Sequence, residues 1–126
     1  MAERVHARMK MCEQTGKSLA GAKVYYREDW NTIYFDLQGK QFGMMSPDPI
    51  EDAIITLKGP PDDNVFLRDT YSDVTPGYYA NKVHWNSIKL NTVQLDDEAI
   101  TQLIVQSYQL VYNKLPKKIR MQFEKC

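Results

Sequence analysis

Thr32-Ile33-Tyr34-Phe35-Asp36-Leu37-Gln38-Gly39-Lys40-Gln41-Phe42-Gly43-Met44-Met45 decides the reading of this chain. Residues 32–37 are β-branched and aromatic, as strands favour, and residues 41–45 follow as the return strand. Gln38-Gly39-Lys40 between them is a turn in which Gly39 supplies the positive φ that a tight loop requires. Two strands joined this closely must pair antiparallel, because a parallel neighbour would need a long crossover.

Working outward, Val24-Tyr25-Tyr26 predicts a strand before the hairpin, and Ala53 to Lys58 predicts one after it. The latter is ended by Gly59-Pro60-Pro61. Ser46-Pro47-Asp48-Pro49 breaks the ladder and reads as a loop. Trp85 to Leu90 alternates apolar with polar at period two, which predicts a strand with one wet face.

Helical periodicity fills the rest. Val5, Met9 and Cys12 predict an amphipathic helix over residues 2–13, with Gly16 as its stop. Asp62, Asp63 and Asn64 are read as first-turn or cap residues of a helix reaching Tyr71, and Pro76-Gly77 as a turn. Asp96-Asp97-Glu98 predicts the start of a long helix ending at Lys114 or Leu115, just before Pro116. On it Ile100, Leu103, Ile104, Ser107, Val111 and Leu115 share the face expected to meet the sheet. These elements make one α+β domain over residues 1–126, a mainly antiparallel sheet with helices on one face, and residues 118–126 are expected to be a flexible basic tail.

Length and composition narrow the function classes. With 126 residues there is room for one core. No apolar run approaches the length of a membrane helix, and the first eight residues lack the apolar segment of a secretory leader. Cys12 and Cys126 form neither a disulfide framework nor a zinc motif. A cytoplasmic protein is therefore expected, with no membrane partner, as a monomer or weak homodimer. The 16 basic and 16 acidic residues cancel, so any electrostatic partner must be read locally. Residues 114–126 hold five bases against one acid, residues 1–23 five against two, and residues 48–73 two against seven.

One stretch carries a resemblance. Pro76-Gly77-Tyr78 is followed by Asn81-Lys82 and His84-Trp85, and the last long helix bears Ser107-Tyr108 before Leu115-Pro116-Lys117-Lys118. In this register the chain resembles the MmcQ/YjbR family over roughly residues 32–120. Tyr79, Ala80 and Val83 stand where members often carry His, Met and a basic residue. The resemblance implies a bacterial protein with a CyaY-like domain, for which DNA binding through a double-wing arrangement of sheet and loops has been proposed. It brings no catalytic activity and no cofactor.

The candidate residues each admit a plainer structural role. Asn81 and Lys82 could contact a phosphate as amide donor and point charge, or simply cap their turn. Trp85 is expected to pack, leaving His84 outward with a local backbone partner or a phosphate. Lys89, Lys117, Lys118 and Arg120 complete the basic face expected to meet DNA backbone, provided the fold brings them together. The other expectation is a protein-interaction or small-ligand module using an aromatic pocket around Tyr78 and Trp85. Two histidines and no nucleophile elbow or phosphate loop argue against an enzyme, and Asp62-Asp63 and Asp96-Asp97-Glu98 read as helix starts rather than metal ligands.

Overall fold

The computed structural model describes residues 2–77 and 81–124. The elements in chain order are α1 (Ala2–Ser18), β1 (Ala22–Arg27), β2 (Thr32–Leu37), β3 (Lys40–Met45), β4 (Ile54–Lys58), α2 (Pro61–Thr70), β5 (Val74–Pro76), β6 (Trp85–Lys89), α3 (Asp97–Tyr112) and α4 (Lys117–Glu124). The six strands form one sheet in the order β1-β2-β3-β4-β6-β5, with every neighbouring pair antiparallel. The expected α+β class is what the chain adopts.

Register sorts the side chains onto two faces, since successive residues of a strand point opposite ways. One row runs Val24, Phe35, Gly43, Leu57 and Asn86 across β1, β2, β3, β4 and β6. It lies under the helices. The adjacent row Ile33, Met45, Ile55, Ile88 and Val74 is buried with it against Ile100, Ile104, Tyr108 and Val111 of α3. A register shift between Phe35 and Asp36 turns Phe42 onto the helix face too, where its ring meets Phe35 and Tyr108 edge-on at 5.6 Å each. The third row, Tyr25, Tyr34, Met44, Thr56, Ser87 and Thr75, belongs to the face without helices.

Several local expectations are corrected. The first helix does not stop at Gly16 but runs to Ser18. Gly16 is a packing residue: a Cβ there would stand 2.7 Å from Val24 and 2.8 Å from Phe35, so only glycine lets α1 lie this close to the sheet. At α2 the N-cap is Pro60, and Asn64 is no cap. Its buried amide donates to the carbonyls of Gly59 at 3.0 Å and Val83 at 3.1 Å, stitching the β4–α2 corner to the turn before β6. Pro76, read with Gly77 as a turn, instead ends the edge strand β5.

The expected wet face of β6 is also absent, for Asn86, Ser87 and Ile88 are all buried. Ser87 on the open side shares a 2.8 Å hydroxyl contact with Thr56. Finally, residues 118–124 are not a loose tail but belong to α4, whose Phe123 packs on Tyr112 and closes over Gly21. Residues 125 and 126 lie outside the described residues.

Candidate functional site

The face of the sheet left bare by the helices carries a cavity of about 620 Å³. Its floor is Met44 of β3, with Ile54 and Thr56 of β4. On a sheet covered on one side such positions are ordinarily polar, so Met44 and Ile54 leave apolar surface there. Strand order sets the walls. Trp30, from the β1–β2 turn, stands on the β2 side, and Trp85, opening β6, stands three strands away, about 14 Å at ordinary interstrand spacing.

The Trp30 wall is held from outside. Its ring meets Tyr34 edge-on at 5.7 Å, and the Arg27 guanidinium lies 3.9 Å from the Trp30 ring centre and 4.8 Å from that of Tyr34. Asp29 fixes Arg27 by a two-point contact at 2.6 and 3.1 Å, which holds the Asp29 carboxyl below its ordinary range and raises the guanidinium. Burial, and then the charge of Asp36, push the Tyr34 hydroxyl above its ordinary pKa. Asn31 completes the turn with φ of 48°, and its Oδ1 accepts the Tyr26 hydroxyl at 2.8 Å.

The Trp85 wall is set by Asn81 and Gly77. Asn81 Oδ1 accepts the backbone N–H of Val83 at 2.8 Å and of His84 at 3.3 Å, so Asn81 does cap its turn while also lining the cavity. Gly77 N–H donates to the Trp85 carbonyl at 2.8 Å. A Cβ at Gly77 would come within 2.7 Å of the Trp85 Cβ, so this close crossing of β5 and β6 requires glycine. Gln41 closes the lower corner. Its Nε2 is buried and has no hydrogen-bond partner, although it is a donor that ordinarily finds one.

The residues expected from sequence therefore separate. Asn81 and Trp85 meet at the cavity. Tyr78, the other aromatic of the expected pocket, lies outside the described residues. Lys82 and His84 are exposed on the turn, where Arg68 donates to the Lys82 carbonyl at 2.8 Å and Gly59 to the His84 carbonyl at 3.0 Å. Lys89 ends β6 at the opposite end of the strand from Trp85. Lys117 and Lys118 are exposed on α4, whereas Arg120 is half-buried with its Nε unsatisfied and its carbonyl accepting the Tyr112 hydroxyl at 3.2 Å.

Sequence reading missed Trp30, Gln41, Met44 and Thr56 as cavity residues. The available signal was the alternation in residues 32–37 and 41–45, which puts Tyr34 and Met44 on the face opposite Phe35. Among the described residues no group of three His, Cys, Asp or Glu side chains is placed to hold a metal ion, and no helix is long and apolar enough to cross a membrane.

A family model described as YjbR matches residues 17–110, which include both walls of the cavity. The chain belongs to the YjbR family. Within it, the chain is 32% identical over 100 residues to the uncharacterized protein YjbR of Escherichia coli strain K12, covering 79% of this chain and 83% of that one. It is 31% identical over 84 residues to the uncharacterized protein YbdF of Escherichia coli O157:H7, covering 67% of each. Two crystal structures share the YjbR-family fold seen here. A Deinococcus radiodurans protein with the DUF419 domain superposes with a TM-score of 0.79 at 22% identity, over 89% of this chain and 84% of that one. A Pseudomonas syringae protein does so with a TM-score of 0.66 at 23% identity, over 82% and 97%.

Proposed function

We propose that this YjbR-family chain is a non-catalytic binding module of the cytoplasm whose open sheet face takes a small, flat, largely apolar ligand. The observation that carries the reading is the cavity between Trp30 and Trp85. Its volume lies in the range of small-molecule sites, Met44 and Ile54 make most of its floor apolar, and its polar groups include a Gln41 donor without an acceptor. Two indoles lining a cavity with Met44 in its floor suit a planar ring system, and Gln41 and Asn81 would fix its orientation by hydrogen bonds.

We prefer this to DNA binding by Lys82, Lys89, Lys117, Lys118 and Arg120. Lys82 lies in the turn before β6 and Lys89 at the far end of that strand, and Arg120 is half-buried on α4.

The chain's two tryptophans both line the cavity, so intrinsic fluorescence reports on it directly. Nile red, flat and uncharged, is a suitable probe because lysines do not attract it. It is expected to bind once per chain and quench both indoles. Met44→Arg should lower its affinity about tenfold or more by placing a charge in the apolar floor, with an unchanged far-UV spectrum. Equal binding to Met44→Arg, or none to the unaltered chain, would reject the reading.

A further inference from the structure

At the lower end of the sheet, outside the cavity just described, three lysines from three elements converge. Lys40 opens β3, Lys58 closes β4, and Lys114 follows α3; with Gln41, Val111 and Leu115 they line a cleft of about 250 Å³. The ion pairs among the described residues are Arg8–Asp97 and Arg27–Asp29, so none of these lysines has a carboxylate partner there. Asp36, opposite Gln41 in the ladder, is the nearest acid by register and does not line the cleft.

Lys114 alone would be accounted for by the negative end of α3. Lys40 and Lys58 belong to strands and have no such reason. Lys58 is half-buried, and burial first and the Lys114 ammonium beside it second hold its pKa below the ordinary lysine value. Crowded like charges cost the folded chain stability unless something of opposite sign sits among them. Gln41 lines both this cleft and the open-face cavity.

We infer that the Lys40–Lys58–Lys114 cleft is a phosphate-binding site, with the three ammoniums as donors. A phosphate group matches this set better than a carboxylate, since it carries more charge and offers three oxygens to donors arriving from separate directions. The phosphate belongs either to a free small molecule or to a nucleic-acid backbone. The site does not depend on the ligand proposed for the open face.

Inorganic pyrophosphate, titrated at low salt into labelled full-length chain, is expected to move the amide resonances of Lys40, Gln41, Lys58 and Lys114. The double variant Lys58→Met with Lys114→Met should weaken it at least tenfold, about the loss expected for charge-assisted contacts. Lys117→Met with Lys118→Met should change it less than about twofold, as befits exposed charges outside the cleft. Without pyrophosphate the Lys58→Met chain should melt no lower than the unaltered one, because it loses a repulsion; weaker binding then cannot be blamed on unfolding. A parallel titration with a short DNA duplex separates the sources. Duplex binding lost in the double variant assigns the site to nucleic acid, and pyrophosphate binding without duplex binding assigns it to a small molecule. If neither binds, or if the α4 variant weakens pyrophosphate as much as the cleft variant, the inference is wrong.

Discussion

The Ser107 hydroxyl on α3 donates to the carbonyl of Phe42 on β3, across 65 positions of sequence. The same oxygen accepts the backbone N–H of Lys58 at 2.9 Å. One side chain thus ties the helix to two neighbouring strands where the β3 bulge leaves a carbonyl without a ladder partner. Ser107→Ala would strand both backbone groups in a buried place. It should cost about 1 to 3 kcal/mol in urea unfolding, and a loss below about 0.5 kcal/mol would show that water replaces the hydroxyl.

Arg8 does comparable work at the opposite end of the molecule. Its guanidinium donates to the carbonyls of Leu90 at 3.1 Å and Thr92 at 2.7 Å, and to Asp97 at 2.9 Å. Arg8→Met keeps the stem but orphans the Leu90 carbonyl, while the Thr92 carbonyl keeps its bond from Arg4 at 2.6 Å, and it should cost about 1 to 3 kcal/mol. Asp97 is largely exposed, with a side chain 65% accessible, so Asp97→Asn should cost less than about 1 kcal/mol. Equal losses would mean that the ion pair, not the carbonyls, holds α1 to the loop before α3.

On α3, Ile104 is fully buried whereas Leu103 is only partly so. Ile104→Ala should therefore destabilise by about 2 to 5 kcal/mol, and Leu103→Ala by clearly less. Sequence periodicity treats the two as equivalent. Thermal unfolding of both variants distinguishes the cases, and identical losses would contradict the packing described.

Cys12 is sealed beneath α1, and burial pushes its thiol up to about 12, against a smaller opposing pull from Arg8. In the unfolded chain it ionises near its ordinary value of about 8.5. The folded form therefore holds its proton while the unfolded form loses it. The stability this contributes is complete below the unfolded pKa and is lost as pH rises toward the folded one. Between pH 9 and 10 the slope from this group approaches 1.4 kcal/mol per pH unit. Cys12→Ala should show a flatter decline over that interval than the unaltered chain, and parallel declines would contradict the burial of the thiol.

The β2–β3 hairpin and α3 were legible because their signals are local. Gly39 takes the positive φ expected of it, at 82°. Asp96 accepts the Ala99 N–H at 2.8 Å as the expected N-cap of α3. Gly16 and Asn64 misled for the converse reason. Each has a strong local habit, helix stop or helix cap, that a contact with a distant element overrides. In both places the neighbour is far along the chain: Val24 and Phe35 for Gly16, Val83 for Asn64.

Alternation, turn chemistry and capping act over a few residues, and through them the order of residues settled the antiparallel α+β class, the hairpin and the start of the long helix. It also carried the likeness to the YjbR family. Which side of the sheet stays bare, and which cations meet, follow instead from strand order and helix placement. Lys40, Lys58 and Lys114 are scattered over 75 positions of chain and become neighbours only because the start of β3 lies beside the ends of β4 and α3. Lys82 and Lys89, seven positions apart, are carried to the turn before β6 and to the far end of that strand. Charge acts through distance in space, so its pattern along the chain cannot show where it gathers.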